Sequence, residues 1–174
     1  MRGYAGTSVR DIAKAAGVSA QTVYDSVGSK QALVERLNDL IDEEADVPSI
    51  SRAAAQSGDP AAVAATPARI TRSILENCGD IVRALVTGAA AEPELAAVLE
   101  EGHRRHMAGT RSMIGLLDEL GALAPSLDRD EAAETLAAIA DFRFALVLRE
   151  SYGWPLDRIE NWIAATSRAL LLGD

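Results

Sequence analysis

Four polar side chains, Gln21, Thr22, Tyr24 and Asp25, and a lysine that follows them, Lys30, have the types and spacing to do chemistry on a nucleic acid. The carboxamide of Gln21 matches the N6 and N7 edge of an adenine, and Thr22 can donate to a base or touch a thymine methyl. Lys30 lies one residue beyond Ser29, the predicted cap of a helix, where a cation and unpaired backbone amides together hold a phosphate. Asp25 is the odd member. Phosphates repel it unless it accepts a cytosine amino proton, so it either reads a base or turns away. Tyr24 offers an outward hydroxyl, and its plainer alternative is a half-buried packing ring.

The neighbouring residues supply the elements that would position this group. Val9, Ile12, Ala13 and Ala16 recur on one helical stripe, and Ser8 with Asp11 forms a capping box at its start. Gly17 ends that helix in the left-handed conformation a sharp exit needs. Ser19 then caps a second helix, with Val18 and Val23 as a hydrophobic staple around it, and only Val23 and Val27 point inward. Two helices joined by so short a turn have helix-turn-helix geometry, in which the second helix enters the major groove and the first braces it. A third helix follows in "GSKQALVERLNDLI", with Leu33, Val34, Leu37, Leu40 and Ile41 on one face.

The whole run "GYAGTSVRDIAKAAGVSAQTVYDSVGSKQALVERL" closely resembles the DNA-binding domain of the TetR family of bacterial transcriptional regulators. The shared pattern is Gly-Tyr, a Thr-Ser pair, a D-I-A helix, G-V-S, T-x-Y and S-K-x-x-L. The resemblance implies phosphate contacts at Thr7 or Ser8, Tyr24 and Lys30, and a base-reading surface at Ala20, Gln21, Thr22 and Asp25. It also implies a homodimer on a palindromic double-stranded operator, released when a small-molecule effector enters the larger domain. Two departures stand out. Only Met1 and Arg2 precede Gly3, where the family has a whole first helix, so either the chain as given starts late or its DNA-binding domain is reduced. Val27 stands where a phenylalanine is common, which loosens the small core.

Charge is divided along the chain. Residues 1–36 hold Arg2, Arg10, Lys14, Lys30 and Arg36 against Asp11, Asp25 and Glu35, a net of +2, so the remainder must carry −11 to give the formal −9. Attraction to phosphate is local and screened over about 10 Å at ordinary salt, so distant carboxylates weaken non-specific binding without forbidding specific binding. No run approaches the roughly eighteen apolar residues of a membrane span, and no signal peptide is evident; a cytoplasmic protein is expected. The lone Cys78 has no partner for an internal disulfide and no cationic neighbour to make it a redox sensor.

The expected fold is all-α, with a helix-turn-helix domain over residues 1–45 and a helical effector-binding and dimerisation domain over 46–174. In "ADVPSISRAAAQSGDPAAVAATPARI", Asp59-Pro60 and Thr66-Pro67 are both good helix starts, which leaves open a late helix or a kinked early one. A long helix opens at Glu92-Pro93 and stops at Gly121, another runs from Asp128 to about Tyr152, and a last one follows Gly153-Trp154-Pro155. The Gly-Trp turn and terminal leucine run resemble the effector and dimerisation domain of one TetR branch. Between Ile139 and Leu148 nearly every side is apolar, so that helix needs cover on two faces. Phe144, Leu148, Ile159, Trp162, Ile163 and Leu170 are the expected dimer contacts, with a monomer burying both faces as the alternative.

For an effector, the inward stripe of the long helix carries Gly102, His106 and Gly109 between larger apolar residues, where a cavity can open. Arg143 lies in the Leu136, Ile139, Leu146 stripe and needs a carboxylate from the protein or a ligand. His106 and Arg143, with Met113 and Phe142, are therefore expected to face one ligand cavity; the plainer readings are a hydrogen-bonded core histidine and an interface ion pair. "EGHRRH" spaces Glu100, His103 and His106 at helical steps but is too sparse for a metal site, and no metal or cofactor is expected. No phosphate loop, nucleophile elbow or catalytic histidine constellation is present, so an enzyme is not expected. The reading is a ligand-responsive repressor; its alternative is a helical dimer of the same family that has lost DNA binding and acts through ligand or protein contacts.

Overall fold

The computed structural model describes residues 4 and 6–173; Met1, Arg2 and Gly3, on which the expectations about the chain's start rest, lie outside the described residues. Eleven α-helices follow in order among them: α1 (Val9–Ala16), α2 (Ala20–Val27), α3 (Lys30–Glu35), α4 (Leu37–Glu44), α5 (Val47–Ser57), α6 (Pro60–Asn77), α7 (Gly79–Gly88), α8 (Pro93–Glu119), α9 (Arg129–Ile139), α10 (Phe142–Glu150) and α11 (Leu156–Leu171). The fold is all-α, a helix-turn-helix module followed by a larger helical body. An isolated antiparallel bridge, Leu123 to Leu172, ties the end of the chain to the loop after α8.

Local signals set the module. Ser8 and Asp11 form a capping box at α1, Gly17 closes that helix at φ 70°, and Ser19 accepts from the Thr22 N–H at the start of α2. The expected third helix is divided at Arg36, which ends α3 and begins α4. The proline ambiguity resolves toward the early start: Asp59 caps α6 at Pro60, and Pro67 lies within it. Pro67 brings no N–H to that turn, where the Thr66 hydroxyl donates to the Ala62 carbonyl.

Two apolar clusters build the body, both seeded by α6. One joins Leu75, Cys78, Val82, Leu85, Leu146, Leu148, Ile159 and Ile163 across α6, α7, α10 and α11. The other joins Val63, Ile114, Leu117, Leu136 and Leu171 across α6, α8, α9 and α11. Arg72 ties α6 to α11 through Asp157 and Glu160, the latter at 2.9 Å.

Two expectations are corrected here. The helix from Asp128 to Tyr152 is two helices, because α9 stops at Ala140 and Asp141 opens α10, its carboxylate accepting from the Arg143 N–H at 2.7 Å. The Ala140 carbonyl is then taken by the buried Thr71 hydroxyl at 2.6 Å. Leu148, Ile159 and Ile163, expected at a dimer interface, belong to the chain's own core at 7%, 1% and 0% exposure. Both faces of α10 and α11 are apolar, and periodicity alone does not say which faces inward. Phe144 and Leu170 do lie on the outer surface, and Trp162 is half-buried between Phe144 and Trp154.

Ile163→Asp is therefore expected to abolish the folded chain rather than release a folded monomer, since it buries an unpaired charge. Circular dichroism during heating checks this: a variant that keeps its helical signal and a cooperative melt would contradict the placement.

Candidate functional site

On α2, the side chains of Gln21, Thr22, Tyr24, Asp25 and Ser26 are exposed, Ala20 and Val27 are half-buried, and Val23 is buried. Tyr24 is 52% exposed, so its ring is a surface group and not a core one. Gln21 and Asp25 are joined: the Gln21 Nε2 donates to the Asp25 carboxylate at 2.7 Å. A carboxylate only accepts, so this bond fixes which end of the amide is nitrogen and leaves the Gln21 oxygen and one N–H outward. Ser26 completes this exposed face and was not singled out from sequence, although its spacing from Thr22 places it there.

Lys30 is half-buried, and its ammonium donates to the carbonyls of Tyr4 and Thr7, the latter at 2.9 Å, while lying over the Tyr4 ring. It thus holds the segment that leads into α1, where Thr7 is half-buried and Ser8 exposed.

The module is fastened to the body along α8. Asn38 donates to the Val98 carbonyl at 3.0 Å, and a Cβ at Gly102 would stand only 3.0 Å from the Asn38 Oδ1, so glycine permits this approach. Arg105 reaches from α8 to Asp39 at 2.7 Å and Asp42 at 3.2 Å on α4, and binds Glu101 on its own helix at 2.7 Å. Burial pushes the Asp42 carboxyl above its ordinary value despite the opposing Arg105 hydrogen bond. Hydrogen bonds from Arg104 and Arg105 bring Glu101 down to about 2. Apart from Gly102, none of these groups stands out in the sequence by itself. The i, i+3 acids of α4 and the arginine pair of α8 were visible there, but not their meeting.

Between α5, α6 and α8 lies a cavity of about 160 Å³. His106, Met113 and Phe142 line it, with Gly102 and Gly109 on the same stripe of α8; a Cβ at Gly109 would meet nothing within 4 Å. Asp42 and Arg105 also form part of its wall, so the tether to α4 and the cavity share residues. Arg143 does not reach it. The break before α10 rotates Arg143 into a separate open depression with His103 and Glu134, where it binds Asp141 through its Nε at 2.9 Å. The expectation that His106 and Arg143 share one cavity is corrected accordingly. His106 Nε2 lies 2.9 Å from the Ala137 carbonyl, and His103 is exposed. Burial, reinforced by the Glu44 carboxylate, pushes the Cys78 thiol up, away from thiolate chemistry.

A capped helix-turn-helix with a polar outward face, carried on a larger helical body, has the geometry by which such modules enter a DNA major groove. Residues 1–37 match the family described as bacterial regulatory proteins, tetR family. In fold the chain is similar to a TetR-family transcriptional regulator, described as putative, from Mesorhizobium loti MAFF303099, with 23% identity over 97% of this chain and 87% of that one and a TM-score of 0.69. It is also similar to the TetR-family regulator PfmR of Thermus thermophilus, at 20% identity, 98% and 90% coverage and a TM-score of 0.59. The ketosteroid transcriptional regulator KstR2 of Mycobacterium tuberculosis shares the fold at 17% identity, 98% and 87% coverage and a TM-score of 0.54. No curated protein sequence matches the chain significantly. No described helix is long and apolar enough to cross a membrane.

Asp141 generates a measurable consequence. Burial pushes its carboxyl up, but hydrogen bonds from the Arg143 side chain and backbone, aided by the Arg143 and His106 charges, outweigh this and hold it below its ordinary value. A depressed folded pKa gives stability that is full above the unfolded value and lost as pH falls through the folded one. Asp141→Ala is expected to cost about 0.5 to 2 kcal/mol near neutrality, the range for losing a helix cap. Urea melts at a series of pH values should show the deficit against wild type shrinking on acidification; a constant deficit would refute the assignment.

Proposed function

We propose that the chain is a cytoplasmic repressor that binds a palindromic operator as a homodimer and leaves it when a small molecule occupies the α5–α6–α8 cavity. The observation that carries this reading is the Arg105–Asp42 ion pair, which is at once cavity wall and tether to α4. A ligand that binds better when this pair is rearranged moves α4, and with it the two α2 helices of a dimer, out of register with successive major grooves.

In this reading Gln21, Thr22 and Ala20 meet base edges, and Asp25 acts through Gln21 by holding its amide edge-on. Tyr24 and Ser8 meet phosphates. Lys30 presents Thr7 and Ser8 to the backbone from the rear. Gln21→Ala is expected to cost about 1 to 3 kcal/mol on the cognate duplex and to relax preference at one position of each half-site. Lys30→Ala weakens binding to all sequences alike, because it disturbs positioning and not reading. Selection from random duplexes followed by titration at several salt concentrations checks both. A Lys30→Ala variant with altered sequence choice, or a Gln21→Ala variant with unaltered choice, would sink the assignment.

For the homodimer, the supporting surface is the outer side of α10 and α11, where Phe144 and Val147 are 40% and 46% exposed and Trp162 lies behind Phe144. Exposed Ala165 and Ala169 on α11 let a second helix approach closely. Light scattering should give about twice the 18.3 kDa chain mass. Phe144→Glu together with Val147→Glu should halve that value and leave the helical signal intact; an unchanged mass would place the interface elsewhere.

A further inference from the structure

Resting on the reading of the α5–α6–α8 cavity as the effector site, we infer that the effector is an uncharged hydroxyl compound, a phenol or alcohol with an apolar substituent, whose O–H donates to His106 Nδ1. The Ala137 carbonyl, 2.9 Å from His106 Nε2, can only accept, so Nε2 carries a proton, and the neutral ring, whose lone pair is then on Nδ1, is the form the inference assigns to effector binding. Asp141, whose charge couples to His106, is claimed by the Arg143 guanidinium and backbone N–H.

The uncharged hydroxyls Thr71 and Thr110 have the same bias, and the Arg105 guanidinium in the wall is already held by Asp39, Asp42 and Glu101. The Thr71 hydroxyl donates to the Ala140 carbonyl and the Thr110 hydroxyl to the Met107 carbonyl at 3.0 Å. Each spends its proton on the backbone and keeps lone pairs. Ser51 alone among the lining hydroxyls has no such bond and turns either way. A ketone or ether placed among His106, Thr71 and Thr110 sets lone pairs against lone pairs, whereas a hydroxyl brings the proton these three groups lack. A carboxylate fares worse, because it meets the Asp42 carboxylate in the wall while the lining cation Arg105 is already engaged by Asp39, Asp42 and Glu101.

Size and lining define the remainder of the molecule. Val47, Ile70, Ile74, Met113 and Phe142 make most of the wall apolar. An apolar cavity of about 150 Å³ accommodates a benzene ring, so the 160 Å³ chamber takes one aromatic ring or its equivalent. A second cavity of about 150 Å³ shares Ser51, Gly109 and Met113 with the first and continues toward Leu116. Rotation of the flexible Met113 side chain joins the two and admits an alkyl substituent.

Calorimetric titration of the full chain with 4-butylphenol, butylbenzene and 4-butylbenzoate tests this. The phenol is expected to bind about fivefold to tenfold more tightly than the hydrocarbon, the gain of one net hydrogen bond, and the benzoate to bind weakest. His106→Leu should remove the preference for the phenol and keep hydrocarbon binding. His106→Gln, whose amide can donate to Ala137 and present its oxygen, should retain the preference. Where His106→Leu does not fold, the wild-type ranking and His106→Gln decide. Equal binding of phenol and hydrocarbon, tightest binding of the benzoate, loss of the preference in His106→Gln, or a phenol preference that survives His106→Leu overturns the inference and leaves the cavity reading standing. Failure of all three probes to bind, or binding untouched by the cavity-filling Met113→Trp, overturns the cavity reading itself.

Discussion

The guanidinium of Arg105 is the point on which the two parts of the chain depend. It is held by Asp39 and Asp42 from α4 and by Glu101 from α8, while forming part of the wall of the internal cavity. Its side chain is 36% exposed, so each pair taken singly is worth little in water. The arrangement gains weight from its company: Asn38 on the Val98 carbonyl, and Ser73 on the Ala45 carbonyl at 2.7 Å, fix the two ends of α4 against the body. Ile41 also packs into the body's core, with Val34 and Leu37 against it, and the modest polar bonds that accompany this packing can exchange partners without unfolding either side. Reversing a two-state population from 1:99 to 99:1 requires only about 5.5 kcal/mol of differential binding. A few hydrogen bonds and ion pairs of this kind are of that order.

Such a junction needs a stiff element behind it, and α8 supplies one. Two of its glycines act for opposite spatial reasons. Gly102 removes a side chain where α4 must come close, and Gly109 removes one where space is left open. Between them His106 spans to the end of α9 through the Ala137 carbonyl, next to the break at Ala140 and Asp141. The cavity wall, the α9–α10 corner and the contact with α4 therefore all lie along a few turns of the same helix. A rearrangement at one is sterically felt at the others, because packed elements shift between discrete arrangements instead of deforming continuously.

What could be read from the sequence was what short-range chemistry decides. The Ser8–Asp11 box, the left-handed Gly17 and the Ser19 cap are local, and they locate α1 and α2 whatever the rest of the chain does. The stripe of Gly102, His106, Gly109 and Met113 was legible for the same reason, since helical periodicity puts them on one face. The division of the Asp128–Tyr152 segment was not. Nothing in the composition of residues 136–146 forbids a continuous helix; the corner depends on Thr71 taking the Ala140 carbonyl, a partner 69 residues away in sequence. Once the helix breaks, the stripe that put Arg143 beside His106 no longer applies. The same limit governed α10 and α11, where Ile159 and Ile163 face α6 and Phe144 faces outward, although all are apolar and lie on regular spacings.

If the outer face of α2 meets DNA as proposed, an acidic side chain there costs phosphate repulsion, and its bond to Gln21 offers a return. Asp25 accepts from Gln21 Nε2 at 2.7 Å, one helical turn away. A free glutamine loses side-chain entropy when it grips a base, and a pair already joined loses less, because one orientation of the amide is selected before contact. Repulsion between Asp25 and the backbone falls equally on every duplex, while the orientation it imposes favours only those with a matching edge. On the proposed reading, the carboxylate thus trades general affinity for discrimination. The −11 on the rest of the chain acts in the same sense, lowering attraction to any DNA without touching the contacts that distinguish one sequence from another. An acidic chain with a weakly basic helix-turn-helix module is physically consistent with the proposed operator binding because non-specific attraction competes with the choice of site.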